Sequence, residues 1–150
     1  MTSKPNTSLQ LLIELATQAT EAAALRLGEL NQKLAQEQDK LAMLQSFHAD
    51  YLQRLQGQLQ RGLSPREYQN YQAFVGKLET AISGQQDLQK QLQAQIGAQR
   101  LNWQECQKKQ LSYEVLVARQ EKAEQQHQRK KEQQQLDEFA ARAARLRTAS

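Results

Sequence analysis

Apolar residues recur through the first part of the chain in alternating steps of three and four. Leu9, Ile13, Ala16, Thr20, Ala23, Leu27, Leu30, Leu34, Glu37, Leu41, Leu44, His48, Tyr51, Leu55 and Gln58 form one row, the spacing that keeps side chains on one stripe of a helix and makes a heptad seam. Thr20, Glu37, His48 and Gln58 are its polar interruptions, which weaken a seam locally and restrict its register. The row restarts at Tyr68 and runs through Tyr71, Val75, Leu78, Ile82, Gln85, Gln89, Leu92, Ile96, Gln99, Trp103, Cys106, Gln110, Tyr113 and Val117. In the same register the next positions are Gln120, Glu124, His127 and Lys131, so the apolar seam stops at Val117.

Between the two rows lies "RGLSPREYQNYQAF", residues 61–74. Gly62 suits the left-handed turn that ends a helix. Ser64, Pro65 and Glu67 make a helix start: a hydroxyl for a free amide, a proline at the first helical position, and a carboxylate placed to bond back to the Ser64 amide. So short a connection makes the helices antiparallel neighbours. The pattern predicts an all-α fold, a long two-helix antiparallel coiled-coil hairpin with a protruding C-terminal helical arm. Residues 1–150 form a single coiled-coil domain in this reading. Helix 1 spans about 8–60, capped at Thr7 with Gln10 at capping-box spacing, and the bend takes 61–64. Helix 2 spans about 65–146 and is paired to about 117. Folding about residues 62 and 63 sets Leu9 opposite Leu116 and Val117 because both arms rise equally per residue.

Composition agrees with this. Glutamine makes up about a fifth of the chain, and with Ala, Leu, Glu, Lys and Arg it is a helix-forming mixture of the coiled-coil kind. Only 39% of residues are hydrophobic, too few for a thick globular core. The net charge of +4 is too small to choose among an acidic protein, a nucleic acid and an anionic membrane. "MTSKPNTSLQLLIELA" contains no long apolar run, so neither a signal peptide nor a membrane span is expected, and the expected location is cytoplasmic. Cys106 has no second cysteine to pair with and no metal-ligand neighbours at useful spacing. His48 sits on the seam and His127 in the polar overhang, without the nucleophile or carboxylate geometry that catalysis needs. No phosphate-binding glycine loop is present. The expectation is a protein that is not an enzyme and has no cofactor or metal.

Two groups of residues are not absorbed by the seam. Phe47 and Phe74 each precede a seam residue, the g position of the heptad in both helices, and antiparallel partners share a g flank. Both rings therefore belong to one flank near the bend, extended by Lys40, Ala81 and Leu88, either widening the seam or anchoring a partner. Beyond the polar overhang, Leu136, Phe139, Ala140, Ala143 and Leu146 form an apolar stripe beside Arg142, Arg145 and Arg147. Nothing in the hairpin covers it, which leaves two readings, a partner that covers it or simple fraying of a C-terminus. The overhang itself reads as a solvated single helix or as disorder.

"LGELNQKL", "DKLAMLQSFHADYLQRL", "NYQAFVGKLETAI" and "LDEFAARAA" occur in an order and spacing that resemble the flagellar FliJ family over most of the chain. The resemblance implies a long antiparallel coiled coil, similar to the central stalk subunit of rotary ATPases, at the flagellar type III export apparatus. It implies as partners the flagellar export ATPase ring, the cytoplasmic domain of the export gate protein FlhA, and export chaperones. It also implies a monomer when alone, peripheral to the inner membrane face of the apparatus. Family gate-binding residues match Lys40, Leu44, Phe47, Tyr51, Phe74, Leu78, Ala81 and Gln85, with glutamine and histidine expected in place of Lys40 and Gln85. Leu136, Phe139, Arg142, Ala143, Arg145 and Leu146 are the expected ATPase-ring residues. Two other classes compete with this reading: a structural coiled-coil adaptor of another assembly that dimerises through the seam, and a basic helix that binds nucleic acid through Arg119 to Lys131.

Overall fold

A computed structural model describes residues 3–149, with side chains from Thr7 onward. It contains two helices, α1 over Ser3–Arg61 and α2 over Pro65–Ala149, packed against each other as a helical hairpin.

The bend is built as its residues require. Gly62 has φ of 96°, where a side chain would be strained, and no atom within 4 Å would meet an added Cβ, so its role is one of backbone conformation. The Ser64 Oγ accepts from the Glu67 N–H at 3.2 Å, and the Ser64 carbonyl accepts the first helical bond from the Tyr68 N–H at 3.0 Å. Leu63 and Tyr68, both half-buried, occupy the positions of a hydrophobic staple around that cap.

α1 starts upstream of the expected Thr7 cap, and Thr7 is an interior helical residue. Proline accounts for the difference. Pro5 falls in the first turn of α1, where a missing N–H leaves no helical bond unmade, so the chain can be helical before Thr7.

The chain divides into two compact units. In Glu21–Gln104, the seam positions are buried or half-buried with one exception. Leu30, Leu92 and Ile96 form the core, with Leu27, Leu34 and Leu88 packed on it; each such side chain contributes roughly 2 kcal/mol by leaving water. The cross-helix contacts run antiparallel. The Gln99 amide donates to the Ala23 carbonyl at 3.1 Å, Gln85 and Gln89 meet Glu37, His48 Nε2 lies 3.1 Å from Glu79 Oε1, and Tyr51 meets Tyr71 and Phe74. The exception is Gln58, which is exposed. The covered seam of α1 ends at Leu55 although the helix itself continues to Arg61, and Glu67 at the start of α2 is likewise exposed.

In the other unit, Met1–Thr20 with Glu105–Ser150, the covered positions among the described side chains are Leu9, Ile13, Ala16, Thr17 and Thr20 on α1 and, up to residue 117, Cys106, Gln110, Tyr113 and Val117 on α2. The Thr17 and Thr20 hydroxyls donate to the carbonyls four residues back at 2.8 and 2.9 Å, so these polar groups enter the covered face without an unmet bond. From residue 118 to residue 149 every side chain except half-buried Ala143 is exposed, and the helix continues throughout.

The local geometry predicts that Gly62→Ala and Ser64→Ala each lower the stability of the hairpin by about 1 kcal/mol, through a strained backbone and a lost cap respectively. Urea unfolding followed by circular dichroism measures this. Both midpoints should fall while native helicity stays at its parent value.

Candidate docking flank and C-terminal arm

The eight candidate gate residues fall into two sets. Lys40, Phe47, Phe74 and Ala81 are exposed; Phe47 is 50% and Phe74 41% accessible, high for phenylalanine. Tyr51 lies one turn after Phe47 on α1 and stacks on Phe74 of α2, with ring centroids 4.2 Å apart and planes 27° apart. Tyr71 meets the same tyrosine in a tilted arrangement at 5.9 Å. The flank thus carries an aromatic pad drawn from both helices, with Leu44 half-buried beside it.

Leu78 and Gln85 face inward. Leu78 is buried, and Gln85 is spent on α1: its Nε2 donates to the Glu37 carbonyl at 3.1 Å and also to the Glu37 carboxylate. Glu37 is only 8% accessible. Gln89 donates to its carbonyl at 3.0 Å, and Lys40 Nζ lies 3.3 Å from Glu37 Oε1. The Gln85 hydrogen bond, assisted by Lys40, holds the Glu37 carboxyl below the usual carboxylate range against the opposing effect of its burial. Gln85 and Gln89 from α2 and Lys40 from α1 thus all serve Glu37.

The candidate arm residues all lie on the exposed end of α2. Phe139 is 74% accessible, Leu136 and Leu146 are similarly open, and Arg142 and Arg145 stand exposed beside them. Gln133 Nε2 donates to Asp137 Oδ1 at 3.1 Å, a local tie of the kind that supports a solvated helix. Further exposed apolar side chains lie outside the positions singled out from periodicity: Leu11, Leu12 and Leu15 on α1, and Leu111, Val115 and Leu116 on α2. Their signal in the sequence is leucine and valine at off-seam positions, which a search restricted to the seam passes over. Among the described residues no helix is long and apolar enough to cross a membrane.

The family model described as Flagellar FliJ protein matches residues 5–149. The chain belongs to the FliJ family. It is 29% identical over 137 residues to the flagellar FliJ protein of Escherichia coli (strain K12), and 28% identical over 137 residues to that of Salmonella typhi; each match covers 91% of this chain and 93% of the relative. No solved structure matches it. FliJ membership brings with it a role in flagellar export.

The Glu37 cluster makes a pH prediction. A carboxylate whose pKa is lowered by folding contributes stability above its unfolded pKa and loses that contribution as the pH falls through the folded value. Glu37→Gln should therefore flatten part of the acid limb. Thermal midpoints from neutral pH to below the usual carboxylate range should fall more steeply for the parent than for the variant, and parallel curves would contradict this.

Proposed function

We propose that this chain is a non-enzymatic coupling protein of the flagellar type III export apparatus, working in the cytoplasm at the inner membrane face. Its flank near the bend holds the cytoplasmic domain of the export gate protein. The end of α2 enters the export ATPase ring, promoting its assembly and activity, and export chaperones associate with the same protein. Hydrolysis in the ring is thereby linked to events at the gate.

The observation that carries the reading is the aromatic flank of a FliJ-family chain: Phe47 and Phe74 remain half-exposed although the buried seam lies beside them. Large rings left partly in water on a stiff support are the anchors from which interfaces draw most of their energy. The stacked Tyr51 fixes the Phe74 ring before any partner arrives, which lowers the entropy lost on docking. The arm follows the helix-in-groove pattern, with apolar side chains at helical spacing for a hydrophobic surface and arginines for acidic or carbonyl groups around it.

Replacing Phe47 and Phe74 together by alanine should preserve helicity and weaken gate binding at least about tenfold, since truncating a central aromatic anchor commonly costs about 2 kcal/mol. Calorimetric titration against the gate domain, with circular dichroism of the free variant, decides it. A folded variant that binds at full strength would remove the flank from the interface.

Truncation after Gln135 should spare the hairpin, because the covered seam ends at Val117, and should abolish stimulation of the ATPase. Phe139→Ala should reproduce most of that loss. ATP turnover by the purified ATPase with each form is the measurement, and full stimulation by the truncated chain would transfer the ring contact to the hairpin.

A further inference from the structure

We infer that Glu37 sets the register of the hairpin and so keeps the two halves of the docking flank level with each other. The part of this inference that concerns docking rests on the reading of the flank given above; the register itself does not.

Glu37 is the one buried charged residue among the described ones, and it occupies a seam position between Leu34 and Leu41. Three groups meet it. Gln85 Nε2 reaches both its carbonyl and its carboxylate, Gln89 Nε2 donates to the carbonyl at 3.0 Å, and Lys40 closes the open side at 3.3 Å. A coiled coil can slip by whole heptads and keep apolar residues on its seam. Here a slip of one heptad would set Leu78 or Leu92 where Gln85 stands, and Ile82 or Ile96 where Gln89 stands. None of these side chains can donate a hydrogen bond, so either slip leaves the carboxylate facing hydrocarbon on the α2 side.

Other seam contacts discriminate less. Gln99 donates to the Ala23 backbone carbonyl, and a carbonyl recurs at every residue in any register. The bend also leaves room for a slip. Residues 56–61 are all exposed, and moving the reversal by half a heptad would re-form only this lightly held stretch at the loss of the Ser64 cap. The flank, by contrast, depends on register. Tyr51 stacks on Phe74, and a heptad slip would set Glu67 or Ala81 in that place. One buried carboxylate thus acts as a positioning residue for aromatic groups well along the helix from it, and it does so at some expense to stability, since an apolar residue at the same position would suit the seam better.

The test is double electron–electron resonance on the full chain, with spin labels at Gln32→Cys and Lys77→Cys, both exposed, in a Cys106→Ala background. The parent should give one distance. Glu37→Leu should remain helical, melt no lower than the parent, and show a second distance displaced by about 10 Å, seven residues at about 1.5 Å each. Glu37→Gln, which can still bond to Gln85, should keep the single distance. A single distance in Glu37→Leu would overturn the inference by showing that the bend and the Tyr51–Phe74 stack suffice, and so would unfolding of that variant. Affinity for the gate domain, measured on the same variants, should fall several-fold with Glu37→Leu. If the second distance appears while the Phe47→Ala/Phe74→Ala protein binds the gate at full strength, the register role stands and the docking reading fails.

Discussion

An apolar stripe on a helix stays dry only as far as a second helix lies against it. With so small a share of hydrophobic residues, this chain has material for one seam and no more. α1 has 59 residues and α2 has 85; among the described side chains Leu9 is the first covered on α1, and Val117 is the last covered on α2 before the arm, where the α2 seam turns polar. The surplus length of α2 is what the hairpin leaves uncovered. Its polar middle needs no cover, while its apolar end leaves large side chains in water, and this is the basis on which we propose the arm as a place for contact.

Polar residues within the seam have a different part. Leucine alone at every seam position would favour several registers nearly equally. The glutamines on α2 reach across to α1 carbonyls, and Glu37 adds an acceptor that neither single-heptad slip would satisfy. That cluster takes up Lys40 and Gln85, two of the residues that the resemblance led us to expect at the gate. Gln85 is occupied within the hairpin and Lys40, though exposed, is paired with Glu37, so Phe47, Tyr51, Phe74 and Ala81 are the rest of the flank proposed for a partner.

Much of the fold was legible in the sequence because coiled-coil burial has a period, and the bend because Gly62, Ser64 and Pro65 have local conformational preferences that need no tertiary information. The Thr7 cap failed for a related reason: capping-box spacing is a weak local signal, and Pro5 supports an earlier start equally well. Gln58 failed because periodicity extrapolates without knowing where the partner helix begins. The heptad also placed Phe47 and Phe74 on one flank. It could not show that Gln85 turns inward to Glu37 or that Tyr51 links the two sides of the pad, since a flexible amide and a half-buried ring each have several partners within reach. Whether residues 118–135 are helical was likewise open, because a polar segment with no packing face has no period to read.

Hydrogen exchange read residue by residue, on the chain alone and with the export ATPase, tests most directly that pairing ends at Val117 and that the exposed end of α2 is the part held by a partner. The free chain should be strongly protected through the paired seam of both helices and weakly protected from residue 118 onward, because a solvated single helix opens far more readily than a packed one. Addition of the ATPase should raise protection over residues 136–147 and leave the stretch before them nearly unchanged. Strong protection of 118–149 in the free chain, or no gain over 136–147 in the complex, would contradict the account.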